Sequence, residues 1–202
     1  KANGLPDSMI EHAKERTLAQ LANDLDDPGH LADRAMTHAI WGKHPYGHDA
    51  SGQKSHVQSF TRDDVQAFHQ AHLGPRLAML IAVGDLDVAQ LQDAAEKAFR
   101  GWRGGPQAPV VMPPLTEAAL AGSIVVVDKP EQTQTQVRLG AMAFPKGHPA
   151  YFPTYVTNAA FGGGFTSRLV DEVRVKRGLS YGVSSGFDLL KAAGWFGIST
   201  FT

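Results

Sequence analysis

Arg174 and Tyr181, seven residues apart, are the pair in this sequence best suited to chemistry. A guanidinium carries a permanent charge and five N–H donors in a fixed fork, and a phenol adds one O–H donor. Brought to one place, they can hydrogen-bond a peptide carbonyl and stabilise negative charge developing on it. They lie in FGGGFTSRLVDEVRVKRGLSY, Phe161 to Tyr181. Three glycines, Gly162, Gly163 and Gly164, end one apolar segment there, and the lack of side chains would let a peptide strand approach. Thr166 or Ser167 is placed to cap a following helix. Leu169, Val170 and Val173 give that helix an inward stripe, and Gly178 is a C′ stop. A strand-like run follows from Leu179 to Phe187. The spacing therefore predicts Arg174 in the last helical turn and Tyr181 at the head of a strand. By residue type alone, the favoured reading of Arg168, Arg174, Lys176 and Arg177 is a solvated helix face, with Arg174 paired to a carboxylate such as Asp171.

Other side chains offer less. His69 and His72 are three apart, a spacing zinc can use, but no third ligand is evident and they read as the polar face of an amphipathic helix. His44 and His48 are four apart, yet Pro45 and Gly47 deny them a helix, so His44 is expected to cap or turn the loop. There is no cysteine, no nucleophile elbow and no phosphate loop.

The elements that must position these residues follow in order. Helices are expected from Asp7 to about Asp24, from Leu31 to Trp41, from Thr61 to Leu73 with Asp64 closing a capping box, and from Val88 to Phe99. Leu77 to Val83 is a continuous apolar run of buried-strand length. Pro106, Pro109, Pro113 and Pro114 mark a semi-extended linker. Ser123 to Val127 and the alternating run Gln134 to Ala143 read as strands, Ala150 to Ala160 as a helix. A hairpin is expected around Lys191-Ala192-Ala193.

The string GGGFTSRLVDEVRVKRGLSYGV resembles the start of the C-terminal half of the pitrilysin/insulinase family of zinc metallopeptidases. The family pattern is GGG-x-x-SRL-x-x-x-(I/V)R-x-x-x-x-L-x-Y. The first half is similar too, with HPYG, then V-x-S-F-T-x-D-D-V-x-x-F-x-x-x-H-L-x-P, then VGD-x-D and AF-x-x-W. The resemblance implies an α+β fold, helices packed on largely antiparallel mixed sheets, as two partial domains of a chamber around an extended peptide. It implies boundaries at 1–103 for the later part of an N-terminal peptidase-like domain, 104–121 for the linker and 122–202 for the start of a substrate-binding domain. It implies that Arg174 and Tyr181 contact the substrate backbone beside the scissile bond, with Gly162 to Gly164 along the same groove. Family members hold zinc with an H-x-x-E-H helix and a distant Glu. No H-x-x-E-H occurs in this sequence, and Glu11 sits near the place of the distant ligand, but its neighbourhood matches poorly and the favoured reading is an exposed helical Glu. Zinc is thus expected in the parent protein or a partner subunit, and none in this stretch alone.

Three roles stay open: part of a zinc endopeptidase, a zinc-less partner subunit of a heterodimeric peptidase, or a structural core-type subunit. The partners implied are a peptide or unfolded protein substrate, a paired subunit and other copies of the chain. The 202 residues, 43% apolar and 19% charged with a net charge of −1, give no reason to expect nucleic acid or an anionic membrane. Zero cysteines suit cytoplasm or periplasm and choose neither. The chain starts without Met and stops in the strand-like run WFGISTFT, so it reads as a piece of a longer polypeptide, and the lack of a leader pattern decides nothing.

Overall fold

A computed structural model describes residues 6–106, 110–115 and 118–202. Residues 107–109 and 116–117 of the expected linker lie outside the described residues. The described helices are α1 (Asp7–Asp26), α2 (Pro28–Trp41), α3 (Lys54–Ser59), α4 (Arg62–His72), α5 (Val88–Phe99) and α6 (Tyr151–Phe161), with a π-helix over Val170–Lys176. Strands β1 (Gln136–Ala143), β2 (Val183–Leu189) and β3 (Gly194–Phe201) form an antiparallel sheet in the order β1-β3-β2. The fold is α+β, as the resemblance implies. Two compact units alternate along the chain: Lys1–Glu15 with Ser55–Val111, and Arg16–Lys54 with Met112–Thr202.

In the first unit, α4 starts with a complete capping box. Thr61 Oγ1 accepts from the Asp64 N–H at 3.2 Å, and Asp64 accepts from the Thr61 N–H at 2.9 Å. Leu77 to Val83 does not become the expected strand. Met79, Ile81 and Val83 are 83%, 76% and 94% exposed. An apolar run of the right length becomes a strand only when a neighbour pairs its backbone, and none of the described residues does so here.

In the second unit, α2 packs over β1. Asp27 caps α2 by accepting from Gly29 N and His30 N, and Pro28 starts it at a position where a missing N–H costs nothing. Gly140 makes the close packing possible, because a Cβ there would stand 2.6 Å from Met36 Sδ and 3.2 Å from Ile40 Cδ1. Ile40, Trp41 and Ala193 are the buried centre, with Met36, Tyr46, Met142 and Trp195 against it. His44 turns the following loop as expected. Its Nδ1 accepts from Tyr46 N at 3.1 Å, and its Nε2 lies 2.8 Å from the Pro113 carbonyl. The hairpin turns at Leu190–Ala193, closed by a 3.0 Å bond from Leu190 N to Ala193 O. Ser123 to Val127 does not become the expected strand either: it has no strand partner among the described residues, and Ile124 and Val126 are 92% and 83% exposed.

Candidate functional site

The site is built at one end of the hairpin by α6, the glycine turn, the π-helix and β2. Asn158 on α6 fixes the turn to the sheet. Its Nδ2 donates to Ser185 O at 3.0 Å, and its Oδ1 accepts from Ser185 Oγ at 2.7 Å. Ser185 N donates to Gly162 O at 2.9 Å. These bonds satisfy backbone groups of β2 that point away from β3. Gly162 is buried because side chains already fill its Cβ position: Ser185 Oγ would be 2.3 Å away and Leu169 Cδ1 2.7 Å. A Cβ on Gly163 would meet Asn158 O at 3.0 Å, whereas one on Gly164 would meet nothing within 4 Å.

The helix after the glycines departs from expectation in two ways. Thr166 and Ser167 give it no side-chain cap; Ser167 is buried, with a hydroxyl that has no partner among the described residues. From Val170 the helix is wound as a π-helix, a form that recurs at functional sites. It ends as expected at Gly178, where φ is +60°. Leu179 N then donates to Val173 O at 3.0 Å. Tyr181 does not head a strand. Ser180 Oγ donates to Gly182 O at 2.8 Å and accepts from Gly182 N at 3.2 Å. This local bonding competes with ladder pairing, and β2 begins only at Val183.

Arg174 lies in the last turn of the π-helix, with Cζ 4.4 Å from the Tyr181 ring centroid and 4.8 Å from that of Phe165. The sequence paired Arg174 with Asp171 as the bland alternative; Asp171 instead pairs with Lys176 at 2.8 Å, and Glu172 does so at 2.6 Å. Donating to the Asp171 carboxylate, and then to that of Glu172, holds the Lys176 ammonium pKa up at about 12. With both nearby acids engaged by Lys176, the Arg174 guanidinium has no ion pair among the described residues. Gly162, Gly163, Gly164, Phe165, Val170, Arg174 and Tyr181 line an open groove of about 230 Å³ with Gly182 to Ser184. Tyr181 is 75% exposed. The groove therefore offers a cation, a phenol and a glycine-rich wall at one place.

Phe165 and the Asn158–Ser185 link were not singled out from the sequence. An aromatic directly after a glycine run is a usable signal for the first. Asn158 and Ser185 are too far apart in the chain for any spacing rule to join them.

The described residues do not fit zinc. No group of three His, Cys, Asp or Glu among them could hold a metal ion. Glu11 is an exposed residue of α1, paired with Lys14 at 3.3 Å, with Asp7, Thr61 and Arg62 along the same shallow cavity. His69 and His72 lie in the last turn of α4, and the His72 ring is 4.5 Å from that of Phe68.

The family model described as the peptidase M16 inactive domain matches residues 59–202. The chain belongs to peptidase family M16, the pitrilysin/insulinase metallopeptidases. Among M16 relatives, an uncharacterized zinc protease of Streptomyces coelicolor is 30% identical over 190 residues, covering 90% of this chain and 40% of that protein. A solved structure of a peptidase M16 inactive domain from Pseudomonas fluorescens is 31% identical at a TM-score of 0.86, covering 98% of this chain and 47% of that one. A protease from Helicobacter pylori shares the fold at a TM-score of 0.85 and 20% identity, covering 98% of this chain and 48% of that one. This M16 chain thus spans less than half the length of these relatives.

Proposed function

We propose that the chain supplies the substrate-binding corner of a peptide-hydrolysing M16 enzyme. The observation that carries this is the Arg174 guanidinium, lying over the Tyr181 ring at an open groove and without an ion pair among the described residues. An extended peptide laid along Gly162 to Gly164 meets a wall that is largely backbone. Its carbonyl oxygen can accept from Arg174 and from the Tyr181 hydroxyl, and the charge that builds on that oxygen during attack is stabilised where it forms. The substrate class is an extended peptide or an unfolded protein segment, since only an unpaired backbone leaves its carbonyls free to bond. Zinc and the base acting with it would come from another segment of the parent or from a paired subunit.

The test is hydrolysis of an unstructured peptide by the purified full-length protein. Turnover that stops with a chelator and returns with zinc is the expected result. Turnover that appears only after mixing with a second M16 chain would assign this protein to the partner-subunit role instead. No turnover under either condition would favour a structural subunit and overturn the enzymatic reading.

A further inference from the structure

Phe165 is 73% exposed and immediately follows the glycine turn. A large apolar side chain left that open gains little from burial, so folding alone does not account for it. Its ring is instead one of two over which Arg174 Cζ lies, at 4.8 Å, the other being Tyr181 at 4.4 Å. A guanidinium stacks on an aromatic face through the ring quadrupole and through its weak hydration above and below its plane. Such stacking leaves the N–H edge of the guanidinium free for a ligand, whereas an ion pair with Asp171 or Glu172 would occupy it. Both acids are already engaged by Lys176. Residues of the sequence thus remove the competing anions and supply two neutral surfaces.

We propose that Phe165 is a positioning residue that holds the Arg174 guanidinium at the groove, acting through Arg174 and not on substrate. This deepens the proposed function and rests on it only for its catalytic consequence. An arginine anchored at one ring samples more orientations than one anchored at two. Loss of the Phe165 ring should therefore lower the fraction of Arg174 correctly placed when charge develops on the substrate oxygen. For an exposed cation–π contact the expected loss is roughly 2- to 5-fold in kcat, with KM little changed.

The experiment uses the full-length protein labelled with 15N-arginine. The Arg174 Nε–H resonance, assigned by its disappearance in Arg174→Lys, should lie upfield of the other arginines because of ring currents. Phe165→Leu should move it back toward them, and Phe165→Tyr should leave it in place. The exposure of Phe165 makes both variants compatible with folding, and unchanged resonances from the remaining arginines check this. An Arg174 resonance that is unshifted in the parent, or indifferent to Phe165→Leu, overturns the proposal. Turnover is measured on the same samples and on Arg174→Ala. A Phe165-dependent resonance with unchanged turnover in Arg174→Ala supports the positioning contact and tells against the proposed function, so the two failures are distinguishable.

Discussion

Gly162 and Gly164 sit two residues apart and are glycine for different reasons. At Gly162 a methyl group would meet Ser185 Oγ at 2.3 Å, so the Asn158–Ser185–Gly162 link must give way. At Gly164 a methyl group meets nothing within 4 Å and projects from a residue of the groove wall. Gly162→Ala should therefore destabilise the protein by about 1–3 kcal/mol, the usual cost of overpacking, in a denaturant melt. Gly164→Ala should leave the melt within about 0.5 kcal/mol of the parent while raising KM for peptide. Equal stability losses at both positions would contradict this division. The sequence showed the glycine run and the Arg–Tyr spacing. It could not show which glycine serves packing, because the atoms in the way come from Ser185 and Leu169.

The helices were the most readable elements. Their caps and apolar faces are local, so Thr61 with Asp64 marks a start that the structure keeps, whereas α2 begins at Pro28 under an Asp27 cap, three residues before the expected Leu31. Strands depend on partners, and Leu77 to Val83 and Ser123 to Val127 carry strand composition without pairing among the described residues. The π-winding of Val170–Lys176 was unreadable, since its sequence pattern matches an α-helix as well. The α4 cap gives a pH prediction. The Thr61 hydroxyl and then its backbone N–H hold the Asp64 carboxyl below its ordinary 3.8. A lowered folded value means that the cap's contribution is fully present above 3.8 and is lost as pH falls through the lower folded value. A carboxyl titration followed by NMR should place the Asp64 midpoint below 3.8, and Thr61→Ala should move it upward. The same substitution should cost about 1 kcal/mol of stability as a lost N-cap. A midpoint at or above 3.8 in the parent would refute the cap's role.

At the scale of the whole molecule, the chain leaves apolar runs uncovered. Ile81, Val83, Ile124 and Val126 are each more than three-quarters exposed. Unpaired apolar segments template pairing with other chains. The 202-residue chain by itself should therefore associate, and light scattering should report a mass above that of a monomer. A monomer at every concentration would count against this. The proposed role of the corner around Arg174, in substrate binding and not in folding, is tested most directly by turnover and melting of the full-length protein, compared among Arg174→Ala, Tyr181→Phe and the core control Ile40→Ala. The control should lose about 2–5 kcal/mol of stability because Ile40 is only 3% exposed. Arg174→Ala should lower kcat by about 10²- to 10³-fold, the scale for a lost oxyanion donor, and Tyr181→Phe should also lower kcat, both with melting close to the parent. Unchanged turnover in both variants, or melting that falls as far as in Ile40→Ala, would contradict the account.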